Sequence, residues 1–207
     1  MVHNVILDFG NVLGTFDKQS ACAQLAAYSK MRGTEIYDRI VGSELETSLE
    51  SGCIDNSTFA DKLIALVSAE SLTREKCLEI WGDIFETNPG MTDLLHNLHQ
   101  RRISMAVLST TNAVHWPYIR KIDTIQLLEK WQTPFILSHL EGAVKPEPRL
   151  YKSALSALHC VAKEAVVVDD ISENVAVAKE LGFFGIEYDC RKQPLDYLRG
   201  SLDKILM

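Results

Sequence analysis

The stretch VILDFGNV, residues 5–12, has the pattern of a buried strand that ends in a carboxylate. Its apolar run is closed by Asp8, and the chain then turns at Gly10 and Asn11. Apolar runs without polar alternation are typical of strands that are covered on both faces of a parallel sheet. We therefore expect Asp8 at the carboxyl end of a strand, where open α/β sheets bind their ligands.

Further runs rich in Val and Ile follow this one, and helical patterns lie between them. Strands that alternate with helices predict an α/β fold with a Rossmann-like, doubly wound parallel sheet. The predicted strands cover residues 4–9, 103–109, 134–139, 164–170 and 183–188, and the predicted helices cover residues 91–102, 148–159 and 172–182.

Residues 18–87 interrupt the alternation with a segment that is helical almost throughout. Apolar residues recur there at three- and four-residue spacing, as at Phe59, Leu63 and Leu66. The segment is too long for a crossover loop. We predict a helical cap domain at 18–87, inserted into an α/β core domain that is formed by residues 1–17 and 88–207.

The composition narrows the class of protein. The 207 residues are 46% hydrophobic and carry a formal net charge of −7, which disfavours a nucleic-acid-binding surface. The five cysteines show no zinc-ligand spacing and suit a reducing compartment. No secretion signal or membrane-spanning run is recognisable. We expect a cytoplasmic protein without nucleic-acid or membrane partners, and by default a monomer or weak homodimer.

Polar residues follow the predicted strands at the points where these end. Asp8 follows the first strand, Ser109 ends the second, Lys145 lies in the loop after the third, and Asp169 and Asp170 end the fourth. Because the carboxyl ends of such strands lie side by side, these groups should share one site. Crowded carboxylates suit Mg²⁺, and hydroxyl and backbone N–H groups suit a phosphate. A carboxylate oxygen of Asp8 could then attack phosphorus.

Four segments of the chain resemble, in order and spacing, the four motifs of the haloacid dehalogenase-like hydrolase superfamily. The resemblance is strongest to a bacterial phosphatase branch that has D-x-G-N-V at the first motif and is typified by α-D-glucose-1-phosphate phosphatase. LESGCIDNSTFADKL, residues 49–63, is also similar to the cap of that branch. The four motif segments are DFGNVL (8–13), VLSTTN (107–112), GAVKPEPRLY (142–151) and VVVDDISENVAVAKELG (166–182).

This resemblance implies a role for each matching residue. Asp8 is the expected nucleophile and a Mg²⁺ ligand, with the backbone carbonyl of Gly10 and the carboxylate of Asp170 as further metal ligands. Lys145 is the second expected catalytic residue, and it bridges the nucleophile and the phosphate. The family also implies that the helical cap covers the site and selects the substrate.

Five more residues are implied around these four. Ser109, Thr110 and Asn11 are expected to bind the phosphate of the substrate. Asp169 and Asn174 are expected to orient the groups that bind the metal.

The first motif lacks an acid that the family usually carries. Most members read D-x-D, and the second Asp transfers protons, whereas this chain has Gly10 at that position. General acid–base catalysis contributes a factor of about 10² to 10⁴ in rate. We therefore expect a preference for leaving groups that need little protonation, such as a sugar 1-phosphate, or a proton-transferring group from elsewhere. Asp17, His115 and cap residues are candidates.

These observations predict a Mg²⁺-dependent phosphatase that hydrolyses a small phosphorylated metabolite, preferentially a sugar phosphate, through an aspartyl-phosphate. One alternative is a 2-haloacid dehalogenase, whose first motif usually reads D-x-Y-G-T. A second alternative is a catalytically impaired protein that serves in binding or regulation.

Overall fold

The fold is built on a parallel sheet, described by a computed structural model over residues 2–206. Five strands form this sheet in the order β5-β4-β1-β6-β7, while β2 and β3 form a separate antiparallel pair. The predicted doubly wound α/β architecture is thereby confirmed. The strands are β1 (Asn4–Leu7), β2 (Gly14–Phe16), β3 (Phe85–Thr87), β4 (Ser104–Ser109), β5 (Phe135–Leu137), β6 (Ala165–Asp169) and β7 (Phe184–Glu187).

Helices cover both faces of the sheet and form a separate group between β2 and β3. That group comprises α1 (Lys18–Ala26), α2 (Gly33–Ile40), α3 (Glu44–Glu50), α4 (Asn56–Leu66) and α5 (Arg74–Gly82). The remaining helices are α6 (Met91–Gln100), α7 (Trp116–Ile119), α8 (Asp123–Lys130), α9 (Ser138–Glu141), α10 (Pro148–Leu158), α11 (Ser172–Glu180) and α12 (Leu195–Ile205), with a 3₁₀ turn at Ala162–Glu164.

The central strand β1 is buried along its whole length, as its unbroken apolar run requires. Successive side chains of a strand point to opposite faces. Leu7 accordingly joins an apolar cluster on one face, and Ile6 joins a second cluster on the other. Leu7 pairs with Val107 of β4 and with Val168 of β6. This register brings the carboxyl ends of three strands together.

The third predicted strand is shorter than the sequence indicated. We expected a strand over residues 134–139, but β5 ends at Leu137 and the chain enters α9 at Ser138. The Ser138 hydroxyl accepts a hydrogen bond from the Thr111 backbone N–H at 2.9 Å. This long-range contact, which no local pattern reports, holds the chain where the strand stops.

The helices between β2 and β3 pack on a core of their own, which includes Cys22, Ile36, Leu63 and Trp81. Val114, which follows β4, packs against the same cluster. Side-chain caps begin four of these helices. The capping residues are Asp17, Ser43, Asp55 and Thr73.

The helical group therefore rests on the sheet beside the carboxyl ends of the strands. Its division from the core at residues 18 and 87 stays a proposal. Within residues 2–206, no helix has the length and apolar character that crossing a membrane would require.

Candidate active site

A buried ammonium joins two carboxylates at the carboxyl ends of neighbouring strands. Asp8 follows β1, Asp169 ends β6, and Lys145 comes from the loop before α10. Lys145 Nζ lies 2.8 Å from Asp8 Oδ1 and 2.6 Å from Asp169 Oδ2. The three side chains are at most 8% exposed. Buried charges require such pairing, so this geometry fixes Lys145 beside Asp8.

Asp169 is itself held from three directions. Its Oδ1 accepts hydrogen bonds from the backbone N–H of Ile171 and from Asn174 Nδ2, each at 2.9 Å. Its Oδ2 accepts one from Lys145 Nζ. The Tyr151 hydroxyl donates to the carbonyl of Asn174 at 3.0 Å, which ties α10 to α11. Asp169 therefore orients Lys145 and has little bonding capacity left for another ligand.

Asp170 is held by Asn11 across the turn that follows β1. Asn11 has a φ of 54°, a conformation that asparagine tolerates better than most residues. Its Nδ2 donates to Asp170 Oδ2 at 2.8 Å, and its carbonyl accepts from Cys190 N–H at 2.9 Å. The contact that the structure shows for Asn11 is thus with Asp170. The predicted contact of Asn11 with phosphate stays a prediction.

Three carboxylates crowd together at this site. Oxygen atoms of Asp8, Asp169 and Asp170 all lie within 4.8 Å of one another. Burial raises the pKa of Asp8 to about 7; the Lys145 ammonium opposes this increase, while Asp169 and Asp170 add to it. Burial also raises the pKa of Asp170. A compact set of oxygen donors whose charges repel one another fits a small divalent cation.

Lys145 keeps its charge in these surroundings. Burial disfavours the ammonium, but the carboxylates of Asp169 and Asp8 outweigh this effect and raise the pKa of Lys145 above its usual range. A protonated Lys145 can neutralise charge on Asp8 and on an anion bound next to it.

A cavity of about 390 Å³ lies over these groups, between the sheet and the helical group that lies between β2 and β3. Ser109 and Thr110 line it from the core, and Lys18, Glu46 and Glu50 line it from the helical group. The Thr110 hydroxyl accepts a hydrogen bond from the backbone N–H of Lys145 at 3.1 Å. Ser109, which ends β4 and directly precedes Thr110, lines the same cavity.

A family model described as haloacid dehalogenase-like hydrolase matches residues 20–186. The chain belongs to this family. The resemblance that the four motifs predicted is thus confirmed, while the glucose-1-phosphate branch stays a prediction.

Two curated relatives within the haloacid dehalogenase-like family are phosphatases by name. A D-ribitol-5-phosphate phosphatase of Bacteroides thetaiotaomicron is 26% identical over 187 residues, which are 88% of this chain and 90% of the relative. A phosphorylated carbohydrates phosphatase of Thermotoga maritima is 25% identical over 119 residues, which are 57% of this chain and 53% of the relative.

Two solved structures show that the fold is shared. A HAD family enzyme of B. thetaiotaomicron, in complex with magnesium and inorganic phosphate, has a TM-score of 0.82 at 22% identity, with 96% of this chain and 100% of that chain covered. An L-2-haloacid dehalogenase of Xanthobacter autotrophicus has a TM-score of 0.66 at 18% identity, with 99% and 83% covered. Both similarities show the haloacid dehalogenase-like fold alone.

An aromatic ring closes the position at which the family usually carries its second Asp. A Cβ atom at Gly10 would lie 2.9 Å from Phe16 Cε1 and 3.7 Å from Asp8 Oδ2. Contacts under 3.0 Å force a neighbour to move, so a side chain at position 10 would require the Phe16 ring to shift. The Phe16 ring, which belongs to β2, therefore packs beside the position of the missing acid.

His115, one candidate for proton transfer, has no nitrogen to spare. The Asn112 side-chain oxygen accepts from the backbone N–H of Val114 and of His115, so its Nδ2 donates to His115 Nδ1, 3.0 Å away. His115 Nε2–H then donates to the carbonyl of Trp81 at 3.1 Å. Burial lowers the pKa of His115 to about 3. This candidate was wrong, because the imidazole stays neutral and joins α5 to the chain after β4.

Asp17, the other named candidate, caps a helix. Its Oδ1 accepts hydrogen bonds from the backbone N–H of Gln19 and Ser20 at the start of α1. Asp17 lines a neighbouring cavity and lies outside the set of residues that line the cavity over Asp8. The candidacy of Asp17 was therefore wrong as well.

The end of α3 is tied directly to the core. The Ser138 hydroxyl lies 2.6 Å from the carbonyl oxygen of Glu50 and 2.7 Å from that of Thr111. Two residues after Glu50, Gly52 packs so tightly that a Cβ atom would collide with the carbonyl oxygen of His139. These contacts hold the end of α3, where Glu50 lines the cavity, against the loop after β4. The sequence reasoning missed them, because Ser138 had the pattern of a strand residue.

We expect Gly52→Ala to loosen this junction. Gly52 has a φ of +70°, where an L-residue costs about 1–2 kcal/mol, and the methyl group adds the collision with His139. Gly42→Ala is the matched control, since Gly42 has a φ of +75° and nothing within 4 Å of its Cβ position. Urea unfolding should show a larger loss of stability for Gly52→Ala. Equal losses would mean that the contact with His139 contributes nothing.

Proposed function

We propose that this protein is a Mg²⁺-dependent phosphatase that hydrolyses a small phosphorylated sugar or polyol through an aspartyl-phosphate. The observation that carries the proposal is the position of Asp8: its Oδ1 lies 2.8 Å from Lys145 Nζ, and its carboxylate faces a cavity lined also by Ser109 and Asp170. Nucleophile, cation and anion-binding hydroxyl thus meet at one place. The names of the curated relatives support a phosphorylated carbohydrate as the substrate.

The metal ligands that we propose are Asp8, the backbone carbonyl of Gly10 and Asp170. Between the two adjacent acids, Asp170 is the better ligand because it lines the cavity and only its Oδ2 is bound to a protein donor, Asn11. Asp169 instead has both oxygens engaged by Lys145 and by the start of α11. When bound, Mg²⁺ would neutralise charge on the carboxylates and on the transferring phosphoryl group.

The chain's own residues supply the remaining chemistry. Asp8 is held next to Lys145, so that one carboxylate oxygen is paired and the other can attack phosphorus. Lys145 and the hydroxyl of Ser109 would stabilise the phosphoryl oxygens as charge develops on them. Thr110 keeps Lys145 in place through the backbone N–H of that residue. Water then hydrolyses the aspartyl-phosphate and regenerates Asp8.

The arrangement favours a phosphatase over a dehalogenase. Attack on the carbon of a haloacid needs no cation, whereas this site brings three carboxylates within 4.8 Å of one another. Burial, to which the charges of Asp169 and Asp170 add, raises the pKa of Asp8 to about 7, which weakens Asp8 as a nucleophile unless positive charge is supplied. A divalent ion satisfies that requirement, and it also offsets the negative charge of a phosphate dianion.

Metal removal provides the first test of the proposed function. With Mg²⁺ present, the protein should release nitrophenol from p-nitrophenyl phosphate, and EDTA should abolish the release until excess Mg²⁺ is restored. A panel that contains D-ribitol 5-phosphate and glucose 1-phosphate, assayed by phosphate release, should then identify the preferred ester. Halide release from 2-chloropropionate without metal, with every phosphate ester inert, would contradict the proposal.

A further inference from the structure

Hydrolysis of an alkyl phosphate needs a group that gives a proton to the departing oxygen, and the Asp8 cavity contains few groups that could do so. Its core wall presents Asp8, Lys145 and Asp170, which the proposed reaction already uses, and His115, which is neutral and fully bonded. The titratable groups left on the cavity wall are Lys18, Glu46, Glu50 and Glu173.

Lys18 and Glu46 are engaged with each other. Lys18 Nζ lies 2.6 Å from Glu46 Oε1, and Glu46 Oε2 accepts a hydrogen bond from the backbone N–H of Gly42 at 2.7 Å. The Glu46 side chain is 3% exposed. With one oxygen at the Lys18 ammonium and the other at the Gly42 backbone N–H, Glu46 acts as a structural partner of Lys18.

Glu50 differs from Glu46 in what holds it. It is the last residue of α3, its side chain is 17% exposed, and its Oε1 lies 3.8 Å from Lys18 Nζ. Its carboxyl group is therefore largely removed from water, and the Lys18 ammonium contacts it only loosely. The backbone of Glu50 is nevertheless fixed, since its carbonyl lies 2.6 Å from the Ser138 hydroxyl.

Glu173 offers a weaker alternative. It lies in the first turn of α11 at the rim of the cavity and is exposed to solvent. Glu50 is the group whose position and burial suit the exchange.

We propose that Glu50, from the helical cap, is the residue that gives a proton to the leaving-group oxygen and later takes one from the attacking water. This inference rests on the proposed phosphatase activity. It would place the two halves of the reaction on different parts of the fold, with the nucleophile on the sheet and the proton-transferring group on the cap.

The two steps balance in atoms and charge. In the first step, an Asp8 oxygen bonds to phosphorus, the bond from phosphorus to the ester oxygen breaks, and the ester oxygen leaves as an alcohol with the proton of Glu50. In the second step, water attacks phosphorus, the bond from phosphorus to Asp8 breaks, and Glu50 takes a proton from the water. The products are an alcohol and inorganic phosphate, and both carboxyl groups are restored.

The electrostatic surroundings support this exchange. Burial raises the pKa of Glu50 to about 7; Lys18 opposes the increase, and Glu46 adds to it. The charged groups on the cavity wall opposite Glu50 are Asp8, Lys145, Asp170 and Glu173. A carboxyl group with a pKa near the working pH can both give and take a proton, which is the optimum for a general acid and base.

Glu50→Gln tests the inference because it keeps the size of the side chain and removes the proton. The probes are p-nitrophenyl phosphate, whose leaving group needs no proton, and D-ribitol 5-phosphate, whose leaving group does. We expect kcat/KM for the polyol ester to fall about 10²- to 10⁴-fold, and kcat/KM for the nitrophenyl ester to change less than about tenfold. Slower hydrolysis of the aspartyl-phosphate should also produce a pre-steady-state burst of nitrophenol.

The controls separate this role from a structural one. Glu173→Gln should leave kcat/KM for both esters near the wild-type values. Equal losses of kcat/KM on both esters in Glu50→Gln would overturn the proposal. In the wild type, kcat/KM for the polyol ester should fall as the pH rises above about 7, because Glu50 must be protonated to act as the acid. A flat alkaline limb in the wild type would overturn the proposal even if the variant failed to fold. If the wild type hydrolysed neither ester, the proposed function itself would fail.

Discussion

Asp8→Asn should lower kcat/KM for p-nitrophenyl phosphate by a factor of about 10⁶, the scale at which hydrolases lose activity when a covalent nucleophile is removed. An amide oxygen attacks phosphorus poorly, and the substitution also removes one of the proposed metal ligands. The fold should survive, because Asn has the size of Asp and can still accept a hydrogen bond from Lys145, 2.8 Å away in the native protein.

The covalent intermediate can be observed directly in the wild type. Borohydride reduces an acyl phosphate to an alcohol, so quenching during turnover should convert Asp8 to homoserine, which peptide mass spectrometry detects. Asp17→Asn is a matched control, since Asn also caps helices and Asp17 lies outside the cavity. Turnover that persists in Asp8→Asn at the wild-type rate, or reduction at another aspartate, would contradict the mechanism.

Lys145→Met is expected to have the largest effect on the stability of the metal-free protein. It removes the ammonium that lies 2.8 Å from Asp8 and 2.6 Å from Asp169, and it leaves two buried carboxylates without their partner. Breaking a buried pair in this way costs about 3–5 kcal/mol. We expect urea unfolding at pH 7 with EDTA to show a loss of this size, and kcat to fall with it.

The direction in which stability changes with pH follows from the pKa of Asp8. Its folded pKa, raised to about 7 from 3.8, means that the native state binds more protons than the unfolded state, so stability falls as the pH rises between these values. Without Lys145 the folded pKa of Asp8 rises further, and the decline continues to higher pH. The stabilising contribution of Lys145, whose own folded pKa is raised, is fully present across this range. The penalty of Lys145→Met should therefore be smallest near pH 4 and largest near pH 8.

A control variant and a Mg²⁺-binding measurement test the interpretation of Lys145→Met further. Lys192→Met is the control, because Lys192 pairs with Asp189 at 3.0 Å but is 74% exposed, and such surface pairs contribute about 0–1 kcal/mol. Since removal of a positive charge favours another cation, Mg²⁺ should bind Lys145→Met more tightly than the wild type even though activity falls. Equal stability losses for the two Lys variants, or weaker Mg²⁺ binding to Lys145→Met, would show that Lys145 is not the counter-ion of the acidic site.

The fold and the shared position of the main polar groups could be read from local sequence. Unbroken apolar runs predict buried strands, and each run ends where the strand does in β1, β4 and β6 within two residues. Because parallel strands of a doubly wound sheet end at one edge, Asp8, Ser109 and Asp169 had to meet there. The proposed roles of these residues in catalysis stay predictions until the variants are measured.

The choice among the remaining polar residues was beyond local sequence. Histidine often transfers protons in enzymes, which made His115 a candidate, yet Asn112 and the Trp81 carbonyl occupy both of its nitrogens. Phe16 had the pattern of an ordinary apolar residue, yet its ring closes the space at Gly10. Glu50 could have been any charged residue on a helix surface until the cap placed it over the cavity.

The sequence by itself determined the parallel sheet, the order of its motifs and the residues at its carboxyl edge, because short-range periodicity and strand ends are local properties. Only the tertiary structure decided which side chains of residues 18–87 line the Asp8 cavity, which hydrogen bonds occupy both nitrogens of His115, and how Ser138 anchors Glu50. Those outcomes depend on contacts between residues far apart in the chain, whose burial and partners are set when the cap packs on the core.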